Sequence, residues 1–242
     1  MLVKSRSIVL NTFKYTEDKV ISVAYTEAEG FRTFLVRRSK SPRSAVRHTL
    51  FQPLAMLELE WNEMTGKQMF YPKSARVYYA FRSLPYDDGK RAIGQFVAEF
   101  LNHALRGEPS SKLLFNYIGQ SLEWLDECED DYANFHLVFL MRLTEFLGFA
   151  PNVEAYHEGD FFDMESSTFC PSQPGHPDFL MPEDANRLPL LLRMSYSNMR
   201  AFKFIGAERS RLLNFMNDYF KLHMPEFPTM KSLKVMQDIF RE

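Results

Sequence analysis

The chain has 242 residues, 45% of them hydrophobic and 25% charged, which is typical of a folded globular protein and excludes a fibrous or disordered one. No apolar stretch approaches the roughly 20 residues that cross a bilayer, and Lys4 and Arg6 interrupt the first apolar run, so we expect neither a membrane span nor a signal peptide. Cys128 and Cys170 are too few for a disulfide framework. We therefore expect a cytoplasmic protein of one large domain or two modest ones.

The net charge of −2 is distributed unevenly along the chain. Residues 1–80 contain 13 Lys and Arg against 7 Asp and Glu, residues 81–180 contain 6 against 17, and residues 181–242 contain 10 against 7. A basic N-terminal part followed by an acidic middle predicts two domains with different partners.

Residues 1–80 have the pattern of β-strands separated by short polar turns. The β-prone runs are Ser7 to Leu10, Val20 to Tyr25, Phe31 to Val36, Phe51 to Trp61 and Gln68 to Tyr79. Strands at this spacing predict a small barrel with the dimensions of an OB-fold, a frequent oligonucleotide binder. The strand count does not separate an OB-fold from an SH3-like barrel.

A basic segment lies between the third and fourth predicted strands. From Gly30 to Leu57 the sequence contains cations but no carboxylate, and Ser39, Pro42 and Ser44 predict a loop. We define the basic loop as residues 37–48. A polyphosphate backbone is the commonest partner of such a loop, and an ordinary solvated loop is the alternative.

The basic side chains of this region are candidates for contacts with DNA phosphates. In the basic loop they are Arg37, Arg38, Lys40, Arg43, Arg47 and His48. Lys4, Arg6 and Lys14 extend the track if they share the outer face of the barrel. Phe13, Tyr15, Phe31 and Phe34 are candidates for stacking on bases, although aromatic residues in a small barrel more often form its core.

After Pro85 the apolar residues follow helical spacing. Predicted helices cover Ile93 to Leu105, Leu114 to Leu125, Tyr132 to Leu147, Glu183 to Arg193, Ser195 to Phe202, Glu208 to His223 and Ser232 to Phe240. The pattern predicts an α+β protein in which an OB-fold-like barrel, residues 1–80, precedes an all-α domain, residues 81–242. That domain contains an irregular insertion at about residues 149–182.

Three stretches in order along the chain resemble the RecO family, bacterial recombination-mediator proteins of DNA repair. The first begins with Ile8-Val9-Leu10, continues through Tyr15, Glu17-Asp18 and Gly30, and ends after the basic segment at Gln52-Pro53. The second is the helix from Phe139 that ends in the turn Gly148-Phe149-Ala150-Pro151, and the third runs from Leu212 to Leu233. Together they cover nearly the whole chain.

The resemblance implies a protein that binds single- and double-stranded DNA, anneals complementary strands and helps to load the RecA recombinase. The implied partners are RecR and the acidic C-terminal tail of single-stranded DNA-binding protein. An apolar groove with cations at its rim would receive that tail in the helical domain. The candidate cations are Arg142, Arg200, Lys203, Arg209 and Arg211. The alternative for the last four, which form a second basic cluster, is that each only offsets nearby acids.

One departure from the family concerns a four-cysteine zinc site that many members carry in the insertion. Here Tyr156 and Gly159 occupy the positions expected for the first pair of cysteines, and Cys170 is the one cysteine of the region. His157, Cys170 and His176 fit no established zinc spacing. We therefore expect a metal-free loop and no cofactor.

Catalytic motifs are absent from the sequence. It contains no GxSxG, P-loop or GxGxxG, and neither cysteine has a nearby histidine in sequence. We therefore expect no enzymatic activity. Two alternatives to a DNA-binding mediator are a protein–protein adaptor without DNA binding and a nuclease that uses the acidic residues 123–131.

Overall fold

The structure, a computed structural model, describes residues 1–39, 41 and 44–239. The chain forms two compact units, Met1–Glu127 and Cys128–Glu242. The first unit therefore contains the predicted barrel together with the first two predicted helices.

The first unit is built on a six-stranded sheet. Its strands are β1 (Leu2–Lys14), β2 (Lys19–Thr26), β3 (Gly30–Arg37), β4 (Met56–Asn62), β5 (Met69–Phe70) and β6 (Pro72–Tyr79). Their order is β5-β3-β2-β1-β4-β6, and every pair is antiparallel except β3 with β5.

The sheet curls because its two edge strands are consecutive in the chain. Only Tyr71 separates β5 from β6, so the two edges lie close together and the sheet encloses a core. Inside, the Phe34 and Trp61 rings meet edge to face, with 5.3 Å between centroids. Residues of all six strands, with Phe51, form this core: Val3, Val9, Val20, Ala24, Phe34, Val36, Phe51, Leu57, Leu59, Trp61, Phe70 and Ala75.

Two predicted strands differ from the structure for local reasons. The predicted strand Gln68–Tyr79 is divided at Tyr71, where Pro72 has no N–H to continue the ladder, so β5 pairs with β3 and β6 with β4. The predicted strand from Phe51 begins only at Met56, because Leu54 adopts a φ of 65°. The carbonyl of Val9, at the start of a bulge in β1, instead accepts a 2.7 Å hydrogen bond from the Leu54 N–H.

Helices α1 (Asp88–Ala104) and α2 (Lys112–Glu127) complete the first unit. The link between them lies on the β2–β3 turn, where the Tyr25 hydroxyl donates to the Pro109 carbonyl at 2.9 Å and accepts from the Ser111 N–H at 3.2 Å. Gly30 has a φ of +68°, and a Cβ there would lie 2.7 Å from backbone atoms of residues 108–110. This position therefore requires glycine, both for its conformation and for the close approach.

A buried carboxylate holds the connection from β6 to α1. Asp126 accepts hydrogen bonds from the backbone N–H groups of Arg82 (2.9 Å), Ser83 (2.8 Å) and Leu84 (2.7 Å). Burial acts to raise the pKa of Asp126, but these hydrogen bonds and that of the Tyr79 hydroxyl outweigh it and leave the pKa below its ordinary value. The carboxylate is therefore ionised at neutral pH and satisfies three N–H groups before the helix begins.

The second unit is mainly helical. Its helices are α3 (Phe135–Leu147), α4 (Pro182–Ala185), α5 (Leu188–Arg193), α6 (Gly206–His223) and α7 (Leu233–Ile239). The predicted irregular insertion contains a three-stranded sheet of β7 (Phe161–Asp163), β8 (Thr168–Cys170) and β9 (Phe179–Leu180), in the order β8-β7-β9. Phe149, after the α3 turn, stacks on His223 of α6 at 5.0 Å, and its carbonyl accepts from the Tyr219 hydroxyl at 2.7 Å.

The predicted α+β class, with an OB-fold-like barrel before a helical region, is confirmed. Two helix predictions in the second unit need revision. The predicted helix Glu183–Arg193 is divided into α4 and α5, and the predicted helix Ser195–Phe202 contains only a 3₁₀ turn, Met199–Ala201. The last helix extends to Ile239, and the predicted end at Phe240 lies outside the described residues.

Candidate nucleic-acid interface

The basic loop is anchored at both ends to the barrel. The Arg38 N–H donates to the Asp18 carbonyl at 2.7 Å, which ties the start of the loop to the β1–β2 turn. The Ala45 carbonyl accepts from the Ala75 N–H of β6 at 3.1 Å. Val46 and Leu50 pack against the barrel core. The described parts of the loop therefore contact the β1–β2 turn at one end and β6 at the other.

Three arginines of the basic loop lie in the part of the chain that the structure describes. Arg37, Arg38 and Arg47 are exposed, and none of the three forms an ion pair with a carboxylate of the described residues. The one side-chain contact of Arg38 in that part of the chain is a weak 3.3 Å donation to the Glu17 carbonyl. Lys40 and Arg43, also predicted to contact phosphate, lie outside the described residues. The described arginines of the loop are thus available to an anion in solution.

A first cavity of about 330 Å³ lies on one side of the basic loop. Phe13, Lys14, Arg38 and His48 line it, together with Gln52 and other residues. The Phe13 side chain is 48% exposed, and the Lys14 ammonium lies 2.6 Å from the exposed carboxylate of Glu17. The cavity therefore combines an accessible aromatic ring with three groups that donate hydrogen bonds to anions.

A second cavity of about 430 Å³ lies between the end of β3 and the start of β6. Arg37, Ser39, Ser44, Tyr71 and Lys73 are among the residues that line it. Tyr71 is 57% exposed. The sequence reasoning missed Tyr71 because Gln68–Tyr79 had the pattern of one strand. The available signal was Pro72, because a proline after Tyr71 indicates a break in the strand at which an aromatic side chain can be exposed.

Lys4 and Arg6 line neither of these cavities. They lie near the start of β1, and at about 3.3 Å per residue Arg6 is roughly 26 Å along the strand from Lys14. The Lys4 ammonium pairs with Glu58 at 3.0 Å. Arg6 donates twice to Glu27, at 2.9 and 2.8 Å, and once to Asn116 at 3.2 Å.

The arrangement around Arg6 is that of a structural contact. Its guanidinium lies 5.3 Å from the centre of the Phe115 ring of α2, and so connects β1 to that helix. The hydrogen bond to Glu27 raises the pKa of Arg6, and the same bond lowers the pKa of Glu27. Arg32 is similarly engaged, since it pairs with Glu29 at 3.1 Å and Glu63 at 3.4 Å. These cations hold carboxylates of the barrel.

The remaining stacking candidates differ in accessibility. Phe34 is fully buried in the barrel core and Phe31 is partly buried. Tyr15 is 54% exposed but lines neither cavity. Among the predicted rings, Phe13 is therefore the one that is exposed and also lies beside basic-loop cations.

The cations predicted to bind a protein tail lie on several elements of the second unit. Arg142 of α3 pairs with Glu145 at 2.7 Å, and Arg211 of α6 lies 3.9 Å from Asp184. Arg209 donates to the Phe204 carbonyl, and burial lowers the pKa of Arg209. The other two, Arg200 and Lys203, are exposed at and just after the 3₁₀ turn.

His157, Cys170 and His176, which fit no established zinc spacing in the sequence, are not the residues that the insertion brings together. Among the described residues, ligand atoms of Glu165, His176 and Asp178 lie within 4.8 Å of one another. His157 instead lies 3.6 Å from Asp160, and the Cys170 thiol is directed to backbone carbonyls. Tyr156, at the position of an expected cysteine, packs edge to face on Phe169 at 4.8 Å.

Comparison with known proteins identifies the family. Residues 1–81 match the family model for the N-terminal part of recombination protein O, and residues 87–233 match the model for its C-terminal part. The chain belongs to the RecO family. The two matches meet near the predicted boundary after residue 80, whereas the compact units divide after Glu127. Helices α1 and α2 thus belong to the C-terminal family region and fold with the barrel.

Relatives in this family are similar over their full length. The DNA repair protein RecO of Phocaeicola vulgatus is 47% identical over 240 residues, and that of Bacteroides fragilis is 44% identical over 241 residues. The DNA repair protein RecO of Flavobacterium psychrophilum is 30% identical over 241 residues. Each match covers 99% of this chain and 100% of the relative. Among the described residues of this RecO-family chain, no helix is long and apolar enough to cross a membrane.

Proposed function

We propose that this RecO-family protein is a non-enzymatic DNA-binding recombination mediator that binds and anneals DNA strands. The observation that supports DNA binding most directly is the basic loop, with Arg37, Arg38 and Arg47 exposed and without carboxylate partners in the described chain. Phosphates need such cations, and a cation already paired with a carboxylate must first give up that partner. Two cavities with exposed rings adjoin these arginines.

The proposal includes the partners that a mediator needs. The protein would act in the cytoplasm with RecR, bind the acidic tail of single-stranded DNA-binding protein and help to load RecA onto coated strands. Arg142, Arg200, Lys203, Arg209 and Arg211 remain the candidate cations for the tail. A peptide with the acidic tail sequence should lose affinity for the protein when Arg200 and Lys203, the exposed pair, are replaced with alanine. Unchanged affinity would remove these two residues from the tail site.

The experiment that tests DNA binding is a titration of a labelled single strand at several salt concentrations, followed by annealing of two complementary strands. A mediator binds with an affinity that falls as salt rises, and it accelerates annealing. A protein–protein adaptor would do neither, even in low salt. Incubation of the same strands with magnesium addresses the nuclease alternative, since strands that remain intact in the presence of active annealing protein would exclude it.

A further inference from the structure

We infer that the two cavities beside the basic loop are base-stacking subsites for one unpaired nucleic-acid strand, whose backbone crosses the loop between them. Phe13 provides the ring of the first subsite and Tyr71 that of the second. This inference rests on the proposed DNA binding and adds to it the kind of strand that the site accepts.

The two subsites share three kinds of side chain. Phe13, Lys14 and Arg38 are among the residues that line the first cavity, and Tyr71, Lys73 and Arg37 are among those that line the second. Each thus offers one exposed aromatic ring, one lysine and one arginine, and the first also contains His48 and the buried Phe51. A nucleotide needs a flat apolar surface for its base and a cation for its phosphate, and each cavity supplies both.

The two arginines explain how one loop serves both cavities. Arg37 is the last residue of β3, and Arg38 follows it directly. Successive side chains of an extended chain point to opposite sides, so one arginine reaches each cavity. In the sheet, β3 lies between β1, which carries Phe13, and β5, which Tyr71 follows, so the two arginines at the end of β3 lie between the two rings.

The strand register gives the spacing of the two backbone positions. Phe13 of β1 pairs with Ile21 of β2, and Ile21 pairs with Leu35 of β3. The β3–β5 pairing ends with Phe34 opposite Phe70, and the residues that follow these two, Leu35 and Tyr71, both line the second cavity. Three steps between neighbouring strands, at about 4.8 Å each, place the backbones of Phe13 and Tyr71 about 14 Å apart along the curled sheet. A strand that spans both rings therefore passes the arginines.

The exposure of the rings decides in favour of an unpaired strand. Phe13 is 48% exposed and Tyr71 is 57% exposed, so neither ring is used by the barrel core. In a duplex each base already stacks on its neighbours and faces its partner, whereas every unpaired base has a free π-face for an aromatic side chain. The rings should therefore contribute to single-strand affinity and not to duplex affinity.

The test compares a labelled oligothymidylate with a duplex of equal length, using the full chain carrying Phe13→Ala, Tyr71→Ala or both. Stacking is worth about 1–3 kcal/mol per base, and for half-exposed rings we expect the lower end, about fivefold weaker single-strand binding for each substitution and about 25-fold for both. Duplex affinity and the salt slope should be unchanged, since no charge is removed. Tyr86→Ala is the matched control, because Tyr86 is 78% exposed and lines neither cavity.

Leucine variants keep the test decisive if an alanine variant unfolds. Phe13→Leu and Tyr71→Leu retain apolar bulk and remove the ring, and circular dichroism monitors their folding. A strand containing 2-aminopurine provides a second readout, since its fluorescence is quenched by stacking on the wild-type protein and should recover on the double leucine variant.

The outcomes separate this inference from the proposed function. Salt-dependent single-strand binding that is equal in the wild type and in the double variant would overturn the subsites and leave DNA binding intact. An equal loss for single strand and duplex would also overturn them, because it would show that the rings do not distinguish unpaired bases. A wild-type protein without salt-dependent binding would remove the proposed function, and the subsites with it.

Discussion

Replacing Arg37, Arg38 and Arg47 together with alanine tests whether the basic loop neutralises phosphates. Each cation in contact with a single strand contributes about −0.7 to the slope of log K against log salt concentration. Losing three contacts should therefore flatten the slope by about 2. If this contribution vanishes near 1 M salt, the affinity at 0.1 M should fall by about 100-fold.

The assay is fluorescence anisotropy of a labelled single strand at a series of salt concentrations. The ratio of wild-type to variant affinity should be about 20 times larger at 50 mM than at 200 mM salt. The loss should be similar for different sequences, because phosphate contacts carry no base information. The free energy of unfolding should change by no more than about 0.5 kcal/mol, because the three side chains are exposed.

A matched control removes the same charge elsewhere in the first unit. Arg82, Arg91 and Arg106 are also exposed and line neither cavity, so their triple alanine variant should keep most of the salt slope. A loop variant with a normal slope would refute the assignment of the loop to the DNA site. Equal losses in both triple variants would instead indicate that only the total charge of the protein matters.

Three further predictions concern the rest of the chain. Arg6→Ala should lower the free energy of unfolding by about 1–2 kcal/mol in urea titrations, because its pair with Glu27 is lost, and should leave the salt slope of DNA binding unchanged. Asp126→Ala should cost about 3 kcal/mol or more, since it leaves three backbone N–H groups without their acceptor. The pKa of Asp126 is depressed in the folded protein. The contribution of its ionised form to the free energy of unfolding should therefore be complete above its unfolded pKa of about 3.9 and be lost as pH falls through the folded value. Acid titration of the wild type and of Asp126→Asn would measure this difference. Finally, elemental analysis should find no stoichiometric zinc, and about one zinc per chain that disappears on Cys170→Ser would contradict this.

The barrel was predictable from the sequence because its strands carry strong local signals. Alternating apolar residues and turns at short intervals mark most strands, and the absence of carboxylates between Glu29 and Glu58 marks the basic loop. The absence of carboxylates in the segment agrees with the absence of ion pairs at Arg37 and Arg38 in the described chain. Loop charge and strand pattern both depend on residues that are close in sequence, so both can be predicted without knowing the fold.

The partners of the other cations could not be predicted, because they are distant in sequence. Arg6 meets Glu27 and Asn116, which are 21 and 110 positions away. Arg32 lies in the basic segment, yet one of its acids, Glu63, directly follows β4. Such pairs depend on which strands become neighbours and on how α2 packs on the sheet, and the pattern of a single segment specifies neither.

The small sheet of the second unit escaped the sequence reasoning for a different reason. Its strands, β7, β8 and β9, have three residues or fewer, too short for a period of two to be recognised. Phe162 of β7 is nevertheless fully buried, and its ring lies 5.1 Å from that of Phe169 on β8. Aromatic packing, and not the length of the ladder, holds this sheet together.

The pairing of cations explains how a protein with a net charge of −2 can present a basic surface. Lys4 pairs with Glu58 of β4 and Arg6 with Glu27 of the β2–β3 turn, so these cations add little to the field beyond the barrel. Arg37 and Arg47 form no ion pair in the described chain. Asp18 is the carboxylate that Arg37 influences, since its pKa is lowered first by the hydrogen bond from the Thr16 hydroxyl and to a smaller extent by the charge of Arg37. At physiological salt a charge acts over about 8 Å, so an approaching phosphate senses these nearby arginines and not the acidic residues farther along the chain. Salt dependence should accordingly follow the unpaired cations of the loop, whatever the total charge of the protein.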